Sequence, residues 1–467
     1  MSKPFTYLIA LVFVLSALVF PNQSLYIGDE LSYLNRGFAI AQFERELHIR
    51  DHFSRDWIDL IPADYPLGNS FFIAGSILLG GVPAAHIGPV LALVLSFLIT
   101  AATLRKLGQE SSGALLVFWY PAALLLSRML MSDVWSLLVV AAFFGVYFGW
   151  ESGKKQYIAL GFLAGFSLWF RETNGLVFVI PLLYLGLKAP RHTLYLLMGG
   201  LLGLLPRLLS AAWIYGDCFF VKNPNISFGW VHLPINVPLY ALYVSLFFPF
   251  SFWVLFRFRT PAQQVLHASF WLFVGVYVLY GYTGLTESGY KGLFLSSRFL
   301  IPLLPLYIYA LAASPPAFLQ QKTWVQLSRV LPYATLVLLL GFNYGIYRLG
   351  LPTQTFRNFL RQQLQDDNKV LIVDPKNEIM EVIAPFILER ASSIRLSTLE
   401  SVRGISRPQE EMLYLKVSRR DNPYQVRKYQ NLEQKENQIL GGYTLQRIVV
   451  TEDFSQKMEV FQLLKNE

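Results

Sequence analysis

The sequence predicts an all-α polytopic membrane protein of about eleven transmembrane helices, followed by a small C-terminal α/β domain outside the membrane. The chain of 467 residues is 54% hydrophobic and only 15% charged. In soluble proteins, roughly a quarter of all residues are charged. Apolar runs of near-spanning length recur as far as Leu349. Beyond Leu349 the composition becomes mixed, which indicates a separate domain.

The first apolar run, "PFTYLIALVFVLSALVF" from Pro4, is not followed by a signal-peptidase-like site of small residues, so we expect a retained first span. The single Cys218 excludes an intrachain disulfide and a cysteine-rich metal site. The net charge of +9 does not indicate nucleic-acid binding, because the basic residues lie between apolar runs. These features favour a protein embedded in a lipid bilayer, with no nucleic-acid partner.

Runs of near-spanning length are predicted by hydropathy and length. They lie at 4–20, 84–104, 112–130, 132–150, 156–170, 173–188, 193–214, 237–257, 264–285, 299–313 and 331–349. The run 67–82 is shorter and contains three glycines. The positive-inside rule places the basic clusters in the cytoplasm only if 67–104 makes one net crossing. We therefore expect 67–82 to be re-entrant or half of a broken helix.

This topology places the N-terminus in the cytoplasm and the C-terminus outside the plasma (inner) membrane. It divides the chain into a transmembrane domain, 1–350, with an outer loop at 21–66, and an extracytoplasmic domain, 351–467. In the second domain "TFRNFLRQQLQ" and "EIMEVIAPFILERA" are typical of helices, and a polar helix is expected near 423–438. "NKVLIVDP", "EEMLYLKVSR" and "YTLQRIVVTE" are typical of strands.

The outer face is predicted to hold most of the candidate site residues, and ionisable residues gathered at span ends indicate function. In "YIGDELSYL", Asp29 is a good N-cap, and the apolar residues that follow have helical spacing. One interpretation is a capped interfacial helix with solvated acids. The other is a carboxylate, with Glu30 beside it, that acts as a general base.

Two further segments at the predicted outer face each allow a structural and a functional interpretation. In "DYPLG", Asp64 and Tyr65 precede Pro66, which suits the first turn of a helix. The segment is either an aromatic-belt loop or a second carboxylate facing the first across a cleft. In "SRMLMSDVW", Arg128 and Asp133 form either a structural pair that closes a hairpin or part of a substrate pocket.

Two arginines follow at predicted outer span ends. Arg171 and Glu172 lie in "FRETNG", and Arg298 lies in "SSRFLIPLLP". A guanidinium is a planar fork suited to phosphate. Snorkelling to lipid headgroups explains either arginine alone, but two arginines and several acids on one side favour a binding site.

In this order, the motifs resemble the membrane glycosyltransferases of the GT-C fold, in the branch of protein O-mannosyltransferases and lipid A aminoarabinose transferases. The similar features are the outer acidic pair with a Tyr-bearing helix, here Asp29-Glu30 and Tyr33, and the proline element "DYPLG". An Arg shortly before an Asp, "RFLIPLLP" and the terminal "VLIVDP" complete the resemblance, which covers nearly the whole chain.

The resemblance implies transfer of a sugar from a polyprenyl-phosphate donor to an acceptor outside the membrane, generally with inversion. Asp29 would match the catalytic base with Glu30 beside it, Asp133 a supporting carboxylate, and Asp64 the acid before the proline element. We assign Arg171 and Arg298 to the lipid phosphate from charge and predicted sidedness, since a phosphodiester leaving group needs cations. Where the two branches carry Lys or His before a proline pair, this chain has Tyr65 and one proline, which leaves sugar and acceptor open.

No cofactor is expected, since these branches resemble metal-independent enzymes, although adjacent acids have the oxygen ligands that a divalent cation prefers. The alternative from another class is a transporter or lipid flippase. It would predict internal repeats and charges near mid-membrane, whereas the sequence has no obvious repeat and its charges lie at predicted outer ends. A receptor or scaffold would leave the clustered acids unexplained.

Overall fold

The computed structural model describes residues 1–22, 24–26, 28–47, 49–58, 65–221, 228–252, 260–281, 296–313, 322–364, 369–374, 379–389, 394–403, 405, 410–419, 434–452 and 456–466. Asp64, one of the predicted site residues, lies outside them. The described chain forms two compact units. The first comprises Met1–Phe20, Asp64–Asn69 and Ile87–Tyr344, and the second comprises Pro21–Ala63, Ser70–His86 and Gly345–Glu467.

Helices dominate the chain. In order they are α1 (Lys3–Val19), α2 (Gly28–Ala41), α3 (Gly68–Gly80), α4 (Ile87–Lys106), α5 (Leu116–Trp119), α6 (Pro121–Leu126), α7 (Asp133–Gly149), α8 (Lys154–Ser167), α9 (Gly175–Lys188), α10 (Thr193–Tyr215), α11 (Leu233–Phe247), α12 (Pro261–Tyr277), α13 (Leu304–Ala313), α14 (Lys322–Gln363), α15 (Ile379–Glu389), α16 (Leu399–Val402) and α17 (434–440). Short 3-10 helices cover Val82–His86, Ser111–Leu115, Glu172–Asn174, Pro190–His192, Trp230–His232 and Arg298–Leu303.

Among the described residues, four helical segments are long and apolar enough to cross a membrane: Val82–Lys106, Pro190–Tyr215, Trp230–Phe247 and Arg329–Gln363. Shorter apolar helices occur at Lys3–Val19, Gly68–Gly80, Asp133–Gly149 and Arg298–Ala313. The prediction of a mostly helical polytopic protein is confirmed, while the number of eleven crossings and their direction stay predictions.

The predicted span 112–130 is interrupted, and the short run 67–82 forms a helix of its own. The run 112–130 is a 3-10 helix followed by α5 and α6, and it breaks where Pro121 begins a new helix because proline cannot donate an intrahelical hydrogen bond. The run 67–82 is the helix α3, which ends before Gly81 at φ 73°. A left-handed residue at this position separates α3 from the next helical segment.

Glycines bring α8 and α10 together in the first unit. A Cβ atom added to Gly161 would lie 2.0 Å from the carbonyl oxygen of Leu196, and one added to Gly203 would lie 2.0 Å from that of Phe162. The two helix backbones therefore approach more closely than any side chain would permit, which is the usual role of small residues between membrane helices.

The second unit contains a small C-terminal sheet, in the part of the chain where the sequence predicts an α/β domain. Its strands are β3 (Lys369–Val373), β4 (Leu396–Thr398), β5 (Glu411–Arg419), β6 (Tyr443–Glu452) and β7 (Gln456–Lys465), in the order β4-β3-β5-β7-β6. β3 pairs in parallel with β4 and β5, while β7 pairs antiparallel with β5 and β6. β3 is covered on both faces, which explains its continuous apolar sequence.

The outer loop belongs to this second unit. A hairpin of β1 (Ile49–Arg50) and β2 (Trp57–Ile58) precedes the undescribed residues 59–64. Ile49 and Ile58 are buried in the same apolar cluster as Phe386 of α15, and Leu31 of α2 packs against that cluster. The acid-bearing helix and the sheet thus share one core, although the sequence analysis assigned them to different domains.

Asp51 fixes the hairpin to the edge of the sheet. Its Oδ1 accepts a hydrogen bond from the amide of Ser54 at 3.0 Å and from the hydroxyl of Ser397. Its Oδ2 accepts from the amide of Thr398 and the hydroxyl of Ser401, both at 2.7 Å. Burial alone would raise the pKa of this carboxyl, but these bonds outweigh it and lower the pKa from 3.8 to about 2.

We expect Asp51→Asn to lower the free energy of unfolding of this unit by about 2 kcal/mol near neutral pH. The ionised carboxylate stabilises the fold fully above its unfolded-state pKa, and this contribution disappears as pH falls through about 2. The difference between variant and wild type should therefore shrink between pH 5 and pH 2.

Thermal unfolding in detergent, with hydrogen exchange of 49–58 and 394–403, measures this. Asp56→Asn is the matched control, because Asp56 is exposed on the same hairpin. A stability difference that is independent of pH would contradict the role assigned to the Asp51 charge.

Candidate active site

Asp133 and Arg171 form an ion pair within the helical unit. Asp133 begins α7, where a carboxylate is favoured by the helix dipole. Its side chain is 1% exposed, and its Oδ1 accepts a hydrogen bond from Nη1 of Arg171. A buried charge of this kind requires a partner. The partner, Arg171, lies in the connection between α8 and α9.

Arg128 is buried as well. Its Nη2 donates a hydrogen bond to the carbonyl oxygen of Phe20 at 2.6 Å. Phe20 is the residue that ends α1, and its carbonyl there has no intrahelical donor. The arginine of "SRMLMSDVW" thus binds the end of the first helix, while the aspartate of the same segment binds Arg171.

Phe299 brings the two predicted phosphate-binding arginines together. The guanidinium carbon of Arg171 lies 5.3 Å from the centre of the Phe299 ring, and that of Arg298 lies 5.2 Å from it. Both are cation-π distances. Tyr277 stacks on the same ring at 5.4 Å between centroids. The structure therefore places two guanidinium groups and the Asp133 carboxylate around one aromatic ring, which we call the arginine cluster.

Tyrosine hydroxyls hold the segments that carry these arginines. The hydroxyl of Tyr120 donates to the carbonyl oxygen of Ser297 at 2.8 Å, immediately before Arg298. The hydroxyls of Tyr277 and Thr173 are 2.9 Å apart, two residues beyond Arg171. Each arginine is thus anchored through its neighbours in the chain.

The proline element is held by main-chain and side-chain hydrogen bonds. The carbonyl oxygen of Tyr65 accepts from the hydroxyl of Tyr215 at 2.9 Å, and the amide of Gly68 donates to the carbonyl oxygen of Trp169 at 2.8 Å. Nδ2 of Asn69 donates to the carbonyl oxygen of Leu130 at 2.9 Å. These contacts fix the position of Tyr65.

Arg207 is a functional candidate that the sequence analysis missed. Its Nη2 donates to Oε1 of Glu172 at 3.0 Å, and its Nη1 donates to the carbonyl oxygen of Leu168 at 2.7 Å. A cavity beside it is lined by Tyr65, Trp169, Glu172, Tyr215 and Phe220. The signal was present in the sequence, because a charged residue inside the apolar span 193–214 indicates a functional site.

The acidic helix lies in the second unit, where its two carboxylates have different surroundings. Glu30 is 0% exposed, and its Oε2 accepts a hydrogen bond from the amide of Tyr26 at 2.6 Å. This bond satisfies a backbone donor at the start of α2, as a capping carboxylate does. Asp29, in contrast, is partly exposed in the first turn. Tyr33 is buried one turn further along.

Across the described residues, no three His, Cys, Asp or Glu side chains are grouped so as to hold a metal ion. This observation does not test the prediction that the protein needs no metal.

The fold combines apolar helices with a C-terminal five-stranded sheet. It is similar to two crystal structures of ArnT from Cupriavidus metallidurans. The apo structure superposes with a TM-score of 0.56 at 12% identity, and the structure bound to undecaprenyl phosphate with a TM-score of 0.57 at 13% identity. Each comparison covers 98% of this chain and 97% of the other. ArnT is a lipid A aminoarabinose transferase, so the predicted resemblance to this fold is confirmed.

No protein-family model matches this sequence. No curated protein matches it either.

We expect Gly68→Ala to destabilise the helical unit by about 1–3 kcal/mol, because the added methyl overpacks the proline element. Its Cβ would lie 2.7 Å from the carbonyl oxygen of Trp169 and 2.9 Å from the ring of Phe170. Thermal unfolding of the purified protein in detergent measures the loss.

Gly75→Ala in α3 is the control, since no atom lies within 4 Å of a Cβ built there. Alanine in a helix interior should leave stability unchanged or raise it slightly. Equal stability of the Gly68→Ala variant and wild type would contradict the tight packing of the element.

Proposed function

We propose that this protein is a membrane glycosyltransferase that moves a sugar from a polyprenyl-phosphate donor to an acceptor lipid, glycan or protein. The reaction takes place at the outer face of the plasma membrane, with the N-terminus in the cytoplasm and the C-terminal domain outside. One observation carries the proposal: two guanidinium groups meet over Phe299 in a chain with the fold of ArnT, which has been crystallised with undecaprenyl phosphate.

The arginine cluster stabilises the leaving group. Transfer breaks the bond between the sugar C1 and the phosphate oxygen, and the electron pair of that bond stays on the polyprenyl phosphate. Arg171 and Arg298 offer forks of N–H donors to this anion. Asp133 holds the Arg171 guanidinium in place. Because the site is an apolar bundle, its charges are weakly screened and act strongly on the phosphate.

Asp29 supplies the base. It takes the proton from the acceptor hydroxyl or amine as that group attacks C1, and attack opposite the phosphate inverts the configuration of the sugar. The partial exposure of Asp29 supports contact with an acceptor. Glu30 is buried and bound to the amide of Tyr26, which supports a role in orienting the start of α2.

The remaining predicted residues bind substrates or hold those that do. Tyr33, Asp64, Tyr65 and Glu172 are proposed to contact donor or acceptor, and Arg128 positions the end of α1. Arg207 joins this group through its ion pair with Glu172. No metal ion is assigned a role.

We expect Asp29→Asn to reduce sugar transfer by at least about 10²-fold, since the amide cannot accept the proton. The variant should still accumulate in membranes and bind undecaprenyl phosphate as wild type does. Transfer is measured with polyprenyl-phosphate sugars and a membrane lipid extract as acceptor.

Glu44→Gln is the matched control, because Glu44 is an exposed carboxylate of the same outer loop. Undiminished transfer by Asp29→Asn would remove the base assignment. Binding of the lipid phosphate by wild type without any transfer would favour the alternative, a lipid flippase or transporter.

We expect Arg298→Ala to weaken binding of undecaprenyl phosphate by about tenfold or more, because a charge-assisted contact to phosphate is lost. Arg298→Lys should recover only part of this affinity, since an ammonium lacks the planar fork. Thermal shift against undecaprenyl phosphate concentration measures the dissociation constant. Arg191→Ala, at an exposed site of a predicted cytoplasmic loop, should bind as wild type does.

A further inference from the structure

The helix α11 carries two buried polar side chains one turn apart, Asn236 and Tyr240. They are 0% and 2% exposed, respectively. Residues four apart lie on the same face of a helix. Nδ2 of Asn236 donates to the carbonyl oxygens of Val278 at 2.9 Å and Tyr280 at 2.6 Å, so this face of α11 is turned towards the C-terminal end of α12.

One polar atom of each side chain remains without a hydrogen-bond partner in the part of the chain that the structure describes. These atoms are Oδ1 of Asn236 and the hydroxyl oxygen of Tyr240. Burying an unpaired polar group is costly compared with an apolar side chain of the same shape. Phenylalanine at position 240 would fit this apolar helix without that cost, and the two Nδ2 bonds of Asn236 still leave its Oδ1 unpaired. Two such unpaired groups on one face indicate a bound partner.

The pair lies close to the arginine cluster. Asn236 binds the carbonyl oxygen of Tyr280, and the ring of Tyr280 lies edge-on to the ring of Phe299 at 5.8 Å between centroids. Tyr277 stacks on Phe299, the ring that carries both guanidinium groups. A ligand group bound by Asn236 and Tyr240 would therefore lie beside a phosphate bound by Arg171.

The hydrogen-bonding chemistry of these two unpaired atoms indicates which kind of ligand group could bind them. An amide oxygen only accepts hydrogen bonds, whereas a phenol both donates and accepts. An ionised phosphate has no proton to give to Oδ1 of Asn236, and a polyprenyl chain offers neither donor nor acceptor. A hydroxyl or amino group satisfies both atoms at once.

We propose that Asn236 and Tyr240 form the subsite for a hydroxyl or amino substituent of the sugar carried by the polyprenyl phosphate. The inference rests on the proposed function, since it takes the lipid phosphate to be the ligand of the arginine cluster. The pair then distinguishes a sugar-bearing lipid from the sugar-free lipid left after transfer, because only the former pairs both buried atoms.

The test compares wild type with Tyr240→Phe, which removes one hydroxyl and keeps the ring. Full-length protein in detergent is titrated with undecaprenyl phosphate and with a panel of undecaprenyl-phosphate pentoses and hexoses, and thermal shift gives each dissociation constant. Wild type should bind at least one glycolipid about tenfold or more tightly than the sugar-free lipid. Tyr240→Phe should lose this preference and bind undecaprenyl phosphate within about twofold of wild type.

The stability of the ligand-free protein separates this role from a structural one. Tyr240→Phe removes an unpaired buried group, so its unfolding temperature should stay equal or rise. Tyr307→Phe is the control: its hydroxyl donates to the carbonyl oxygen of Pro249, so the variant should lose stability and keep the sugar preference.

Four results would overturn the proposal. A preference for the glycolipid that survives in Tyr240→Phe would mean that the Tyr240 hydroxyl does not recognise the sugar. A fall in ligand-free stability like that of Tyr307→Phe would indicate a structural hydroxyl. Wild-type protein that binds undecaprenyl phosphate but prefers no glycolipid would remove the subsite and leave the proposed function intact, whereas failure to bind undecaprenyl phosphate would remove both.

Discussion

The ion pair of Asp133 and Arg171 is the interaction on which the helical unit depends at its candidate site. Either charge alone in an apolar bundle would cost several kcal/mol, so each is retained only with the other. Because Arg171 also lies over Phe299, the same pair fixes the ring that Arg298 shares. Asp133 is thereby linked to Arg298 through Arg171 and the Phe299 ring.

The same constraint explains the other buried charges. Arg128 binds the carbonyl oxygen at the end of α1, and Arg207 binds Glu172 and two carbonyl oxygens. In both cases the partner is a group that an apolar environment would otherwise leave unsatisfied. Arg207 and Glu172 thus anchor the turn after α8 to α10, while the neighbouring Arg171 faces Asp133.

Much of the fold could be predicted from sequence because hydropathy and composition are local signals. The strand at "KVLIV" and the helix at "EIMEVIAPFILERA" are confirmed as β3 and α15, since continuous burial gives continuous apolar sequence. β4 has only three residues, and β7 mixes charged, polar and apolar side chains without strict alternation, so neither has a distinctive pattern. The predicted helix near 423–438 is confirmed only in part, as α17 at 434–440, because 423–433 lie outside the described residues.

The candidate site was predictable in its residue types and only partly in its partners. Charge at span ends identified Arg171 and Arg298, but sequence spacing has no information on a ring that both share. Spacing suggested that Arg128 pairs with its neighbour Asp133, whereas the ion pair that the structure forms joins Asp133 to Arg171. Long-range pairing of this kind is decided by helix packing. The adjacent acids of α2 illustrate the opposite case, because one helical step turns Glu30 into the core and leaves Asp29 partly exposed. Two equal carboxylates in the sequence thus have different surroundings in the fold: Glu30 is buried and bound to the amide of Tyr26, whereas Asp29 remains partly exposed.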